Sequence, residues 1–470
     1  MSAKSISISP ITRISGLLSV KIVLDNGMIT DASASSTMFR GFEWAMQNRH
    51  VTDAVYMTQR VCGICSLAHG AVSSYLLDEL YDNEISETAQ LLRNIMFAAD
   101  FLQNHLRHFY VFSIPDFVQM PQTMPFHCQD LEDLRLTPEQ TQHIIPHFAE
   151  AIKIAQKAHE ILTIFGGKAP HQHSFLHGGV AVAPTVDKLT RALSLLQEIH
   201  SFINQCLIPD TQLISEVYKD YFHIGVTPRR FLSFGLFRFG RKNQKTLWRS
   251  GVLDEANRIT VPDLSLIQED VDTSWFDQKT SEGQQIISPS PRKPGAYTWV
   301  KTVKYAGKCF QVGPLARMIM TGRYAGGTST MDRIVARSQE TLLLTELMRD
   351  WLTQIQPTDT PPLTQNSVLV KRHASSPIDA MRGALLHSVR VEDERVAEYN
   401  IITPTVWNFS ARDAFGNRSP IENALIGTHI PQDSLVNATV GRIIRSFDPC
   451  ISCATHLIDA RGVRLAEFIL

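Results

Sequence analysis

Arg60-Val61-Cys62-Gly63-Ile64-Cys65-Ser66-Leu67-Ala68-His69 decides how the rest of the chain is read. Its two cysteines are three positions apart, and a tight turn or a first helical turn aims such a pair at one ion. Near the other end, Asp448-Pro449-Cys450-Ile451-Ser452-Cys453-Ala454-Thr455-His456 repeats the spacing. Four thiolates suit a soft or borderline metal such as zinc, nickel or iron. A zinc knuckle is the plainest alternative, but zinc ribbons are compact and these pairs are separated by most of the chain. Each pair also has a histidine nearby, His69 or His456, which a closed four-sulfur zinc site does not need. Arg60 and Asp448 flank the pairs and suggest charge beside the sulfurs. A thioredoxin-like redox pair would need a compact βαβ unit, and none is legible. If the two pairs share one site, the whole chain folds around it.

Working outward, the chain has 470 residues, enough for a large core. Charged residues make up 19%, below the usual share of about 25%, which points to extensive burial or a large partner interface. A net charge of −1 supplies no field favouring nucleic acid or an anionic membrane, so recruitment by a protein partner is expected. Seven cysteines, an odd and sparse number, argue against a disulfide framework. The lone Cys128, Cys206 and Cys309 read as buried core residues. Met1 to Pro10 has no apolar run flanked by basic residues, and no stretch reaches the roughly 18–20 apolar residues of a membrane span. The expectation is synthesis in the cytoplasm with no signal of its own. Whether the final site is cytoplasmic, membrane-associated or periplasmic then depends on an exported partner.

The spacing predicts a mainly α, α+β fold with a central long-helix bundle. Ser5 to Ile29 alternates, with a turn at Asp25-Asn26-Gly27, and reads as a strand and hairpin. Ser86 caps a helix to about Tyr110, with Leu92, Ile95, Met96, Ala99, Leu102, Leu106 and Phe109 on its apolar face. Thr137-Pro138-Glu139-Gln140 is a capping box opening a helix to about Phe165, stopped at Gly166-Gly167. Thr185 to Cys206 and Ser329 to Gln354 are further long helices. Short strands or loops are expected from Thr227 to Pro294, and an irregular stretch from Pro357 to Pro377. No division into independent domains is expected. The regions are an N-terminal β part with the first cysteine pair (1–80), a helical core (86–355), a C-terminal segment (378–456) and a tail (457–470).

These stretches resemble the large subunit of nickel–iron hydrogenases. Arg60 to His69 is similar to that family's R-x-C-G-x-C-x-x-x-H signature, and Asp448 to His456 to its D-P-C-x-x-C-x-x-H. Phe39-Arg40-Gly41-Phe42-Glu43 resembles its R-G-x-E segment. Further similar blocks are Gly166 to His171 with Gly178-Gly179-Val180, Val312 to Met318, Arg382 to Leu385, and Thr403 to Asn408. The resemblance implies reversible splitting of H2 into protons and electrons. It implies Cys62 and Cys450 as terminal nickel ligands, and Cys65 and Cys453 bridging to an iron that carries one CO and two cyanides. Arg382 and Thr405 match positions that donate to cyanide, and Pro404 belongs to the same cofactor-facing turn. Glu43, the Ile401 carbonyl and His456 match magnesium ligands. An iron–sulfur small subunit is the implied partner, since this chain lacks cysteines for an electron relay. A maturation chaperone and an endopeptidase are implied too, because family precursors carry a tail, here Leu457 to Leu470, that is removed after the histidine.

The sequence departs from the family in three places. Arg13-Ile14-Ser15-Gly16 stands where the family usually has R-I-E-G, whose glutamate passes protons to and from a terminal nickel cysteine. Serine cannot hold a net charge change near neutral pH, so Ser15 works through an ordered water or protons leave by another route. Asn104 replaces an aspartate, which leaves Asp448 as the anionic partner of Arg382, and Met381 replaces a proline. These departures also fit an alternative, an H2-sensing or slow-turnover protein on the same site. A metal-free relative, like the homologous core subunit of respiratory complex I, is opposed by the four intact cysteines.

Overall fold

The structure, a computed structural model, describes residues 3–122, 132–281 and 284–454. The N-terminal strands β1 (Lys4–Ile8), β2 (Leu18–Asp25) and β3 (Met28–Ser36) form an antiparallel sheet in that order. Asn26 and Gly27, at φ 50° and 77°, make the left-handed two-residue turn that pairs Asp25 with Met28. The predicted strand and hairpin is present as β1 beside the β2–β3 hairpin. The loop between β1 and β2 carries Arg13 to Gly16 away from the sheet.

Long helices follow: α1 (Ser66–Leu80), α2 (Glu87–Arg107), α3 (Pro138–Gly166), α4 (Val186–Phe202), α5 (Ile208–Val217) and α6 (Thr330–Gln354). The expected start signals operate. The Ser86 hydroxyl accepts from Ala89 N–H, and Thr137 with Gln140 closes a capping box. Ser329 with Asp332 closes another at the head of α6. Gly167, at φ 82°, ends α3 in a left-handed turn. All seven predicted apolar positions from Leu92 to Phe109 are buried. The bundle centres on α2, which packs against α3 and α6. Two turns depart from α geometry: π-helical segments at His108–Ser113 and Ile203–Leu207, the latter joining α4 to α5.

Short antiparallel strand pairs occupy Phe231 to Tyr305, much as expected. One sheet was not foreseen: β4 (His373–Ala380), β5 (Gly383–Glu392) and β6 (Arg395–Ile402), antiparallel in that order. The irregular stretch was expected to run to Pro377, but it stops by His373. Pro377 lies within β4, an edge strand where a missing N–H is tolerated. A further helix, α7 (Val436–Ser446), packs Val440, Ile443 and Ile444 under the N-terminal sheet. The chain then turns through Asp448 into the second cysteine pair, which meets the first. Among the described residues no helix is long and apolar enough to cross a membrane.

Candidate metal centre

All four sulfurs converge within 4.8 Å of one another, fully inside the protein. Cys62 Sγ lies 3.3 Å from Cys450 Sγ, Cys65 Sγ 3.2 Å from Cys453 Sγ, and Cys450 Sγ 2.8 Å from Cys453 Sγ. Local structure explains the convergence. Cys62 is extended, and the Ile64 N–H turns back onto its sulfur at 3.3 Å. Cys65 is the residue that opens α1, and contact with Cys450, together with Cys62 and burial, holds its thiol well above the ordinary range. Arg40 donates to the carbonyls of Val61 and Arg60 and so fixes the approach to Cys62. Arg60 itself is exposed and bonds the Tyr56 carbonyl, so the expectation of its charge beside the sulfurs is corrected. Hydrogen bonds from Cys450, Cys453 and Cys65 hold Cys62 well below the ordinary thiol range, with Arg382 adding to the effect.

Arg382 is buried and aimed at this cluster from the tight turn between β4 and β5. Its Nε donates to the Asp448 carbonyl at 2.9 Å and one Nη to the Asp448 carboxylate at 3.0 Å. The other, Nη1, is buried with no partner among the described residues. Burial opposes charge on Asp448, yet Arg382, His108 and Arg337 with a hydrogen bond from Asn104 bring its carboxyl down to about 2. Asn104 therefore bonds Asp448 at 2.9 Å, consistent with Asp448 being the arginine's remaining anionic partner.

The block Val312 to Met318 supplies residues that sequence reasoning did not single out. Arg317 donates to Glu340 through two nitrogens at 2.7 and 2.8 Å, and to Asp379 at 3.1 Å. It also donates to the carbonyls of Ala380 and Met381, the two residues before Arg382. His105 completes this buried network with a 2.8 Å contact to Glu340. Asn408 bonds both N–H and carbonyl of Val312, tying that block to the Thr403–Asn408 segment. The signal was present as a buried-type arginine inside an apolar run, but its partners are remote in sequence.

A small cavity adjoins the sulfurs, lined by Cys65, Cys450, Cys453, Ala68, His69, Ala380, Met381, Arg382, Leu385, Pro404 and Thr405. Cys62 is not among its walls. Thr405 Oγ1 accepts the Cys450 N–H at 3.0 Å, which leaves its own proton to donate. Four thiolates, a mostly apolar cavity and an arginine with an unused donor fit a metal group larger than a single tetrahedral ion.

Ser15 also reaches the centre: its backbone bridges the second cysteine loop, and its hydroxyl lies 3.5 Å from Cys450 Sγ. Glu43 is buried about the N–H of Ile401, which it accepts at 3.1 Å, and Lys301 stands 3.4 Å away. Burial pushes Glu43 up to about 7 despite Lys301. His456 and the tail 457–470 lie outside the described residues, as does Cys128. Cys309 is buried as expected, whereas Cys206 is only partly so, because it sits on the outward side of the π-helical turn.

The family model described as nickel-dependent hydrogenase matches residues 40–131 and 126–456. The periplasmic [NiFeSe] hydrogenase large subunit of Desulfomicrobium baculatum is 31% identical, over 97% of this chain and 95% of that one. The hydrogenase-2 large chain of Escherichia coli is 25% identical, with 98% of each covered. The structure of the Ni-Fe-Se hydrogenase from D. vulgaris Hildenborough superposes with a TM-score of 0.91 at 34% identity, covering 97% of this chain and 100% of that one. In the present chain all four sulfur positions are cysteines. The chain belongs to the nickel-dependent hydrogenase family as a large, catalytic subunit whose cysteine quartet binds nickel and iron.

Proposed function

We propose that the chain catalyses reversible oxidation of H2 to protons and electrons at a nickel–iron centre whose iron carries CO and two cyanides. Cys62, Cys65, Cys450 and Cys453 would hold the nickel and the iron. The observation that carries the reading is the cavity beside Cys65 and Cys453 with Arg382 Nη1 unpartnered in its wall. Ala68, Ala380 and Leu385 offer the apolar surface that CO tolerates. Arg382 and Thr405 offer the donors that cyanide needs, and Pro404 completes the wall. When bound, the bimetallic group supplies the polarisation that splits H2 into a proton and a two-electron equivalent.

The chain's own residues keep that chemistry oriented and dry. Arg382 holds a fixed positive charge over the sulfurs. Asp448 keeps the guanidinium from swinging away, and Arg317 holds the backbone on which it stands. Burial of every sulfur keeps bulk water out. Ser15 positions a water, not a charge, at Cys450. Glu43, the Ile401 carbonyl and His456 would hold magnesium, with Lys301 beside them; a buried carboxylate raised to about 7 is a group that a second cation would ionise.

Electrons pass to an iron–sulfur small subunit, since the described residues hold a single four-cysteine group. A chaperone and an endopeptidase that removes Leu457 to Leu470 complete maturation. Metal loading takes place in the cytoplasm, where thiols stay reduced, before any export with the partner. The H2-sensing alternative gains no support: the relatives are named as hydrogenases.

Infrared spectra of the protein copurified with its partner, under argon and then H2, test the reading. CO and cyanide stretches that shift under H2 are expected. Their absence from metal-loaded, tail-processed protein overturns it. Intact mass checks processing: an active enzyme ending at Leu470 would refute cleavage after His456.

A further inference from the structure

A second cluster of metal-ligating side chains lies away from the nickel–iron centre, on the flank of the bundle. His143 and His147 are one turn apart on α3, so both project from one face. Asp210 comes from the first turn of α5, immediately after the π-helical segment Ile203–Leu207. One donor atom from each of the three residues falls within 4.8 Å of the others. We propose that His143, His147 and Asp210 form a binding site for a divalent transition-metal ion, zinc being the natural occupant of a two-histidine, one-carboxylate set.

The donor set and its surroundings carry the inference. Asp210 is 1% exposed, and its two oxygens have unequal duties. Oδ2 takes the Tyr110 hydroxyl at 2.7 Å and His147 Nδ1 at 2.8 Å. Oδ1 is buried with no partner among the described residues. A buried carboxylate oxygen without a donor is costly unless a cation claims it. Tyr110 itself lies in the other π-helical segment, His108–Ser113. Such wide turns cost regular hydrogen bonding and recur at functional sites, and here both converge on one carboxylate. Burial, foremost, raises the Cys206 thiol, and the charges of Asp210 and Glu150 add to it, which places negative potential beside the three residues. His143 is exposed and His147 partly so, giving the ion a route in from solvent. Imidazole nitrogens with one carboxylate suit zinc, nickel or ferrous iron, not calcium or magnesium. Three protein ligands leave a position for water.

The purified heterodimer, incubated with zinc and desalted, is assayed for metal content beside H143Q and D210N. Crystals of the zinc-treated protein are measured across the zinc absorption edge. H143Q alters an exposed residue, so unchanged nickel and iron contents certify its fold. The expected result is one zinc more in the wild type than in either variant, with an anomalous peak between His143, His147 and Asp210. Equal zinc in wild type and H143Q, or zinc peaks only elsewhere, overturns the site. Because nickel, iron and the infrared bands are read separately, loss of this site leaves the hydrogenase reading standing, and the reverse also holds.

Discussion

The hydroxyl of Ser15 stands 3.5 Å from the sulfur of Cys450, and the two loops that carry them are stitched together by backbone. Ser15 N–H donates to the Pro449 carbonyl at 3.3 Å, and Ile451 N–H donates to the Ser15 carbonyl at 2.7 Å. The first turn of the chain thus places position 15 at a nickel-binding cysteine. Serine there relays a proton only through a neighbouring oxygen, such as water or the Ser452 hydroxyl at 3.4 Å.

Ser15→Glu is expected to raise H2 turnover, because a carboxylate at this position holds the proton between transfers. General acid–base groups are worth roughly 10²–10⁴-fold, so a rise of about tenfold or more is the expected reading. H/D exchange with H2 rises alongside it. Unchanged turnover and exchange would mean that proton transfer at position 15 does not limit this enzyme.

Arg382→Lys keeps a positive charge yet loses the fork that spans the Asp448 carbonyl and carboxylate. Nickel and iron contents should stay as in the wild type. Turnover is expected to fall by about 10²–10³, the usual result of removing one oriented donor from an active site. The cyanide stretches should also shift, which general loosening of the fold would not produce. Wild-type turnover in the lysine variant would show that charge alone suffices.

Acid sensitivity follows from buried histidines in the core. Burial, foremost, lowers His105 to about 4 and His108 to about 3. The unfolded chain takes up protons near pH 6.5 while the folded chain does not. Stability contributed by these neutral rings is therefore full above pH 6.5 and is lost as pH falls toward 4 and 3. At 1.36 kcal/mol per pKa unit this is on the order of 3 kcal/mol for His105 and about 5 kcal/mol for His108. Asp448 and Glu340, both brought down to about 2, add loss in the same direction below pH 4. Melting temperature should fall steadily from pH 7 to 4, and His105→Gln should flatten the slope. A flat profile in the wild type would contradict the burial argument.

Much of this arrangement was legible in the sequence, because the capping box at Thr137, the helix start at Ser329 and the apolar ladder from Leu92 to Phe109 are local signals. The two cysteine pairs announced a shared site through chemistry alone. The sheet from His373 to Ile402 was not legible, since the run of prolines before it and Pro377 within it read as loop. The support beneath Arg382 was hidden for another reason. Arg317, Glu340, Asp379 and His105 are ordinary charged or polar letters until the fold buries them together, and nothing local distinguishes a buried ion pair from a solvated one. Asp210 is a similar case: two π-helical turns aim Tyr110 and Asp210 at each other, and neither turn has a signature in single-sequence periodicity.

Gly383 shows how closely the loops around the centre are fitted. Its φ of 126° is one that residues with a Cβ rarely adopt, and a Cβ there would sit 2.5 Å from the Gly313 nitrogen and 2.6 Å from a Val312 methyl. The neighbour in the way is backbone, so nothing flexible can yield. Gly167 is the natural control: its φ of 82° also favours glycine, but no atom lies within 4 Å of the added carbon. Gly167→Ala is expected to cost only the left-handed backbone penalty of roughly 1–2 kcal/mol. Gly383→Ala adds overpacking to strain, for a total of about 3 kcal/mol or more. It also pushes Arg382, the preceding residue, off Asp448. Thermal unfolding should rank Gly383→Ala well below Gly167→Ala, with the loss of H2 turnover confined to the former. Equal stability and equal turnover in the two variants would mean that the contact between Gly313 and Gly383 does not hold the arginine in place.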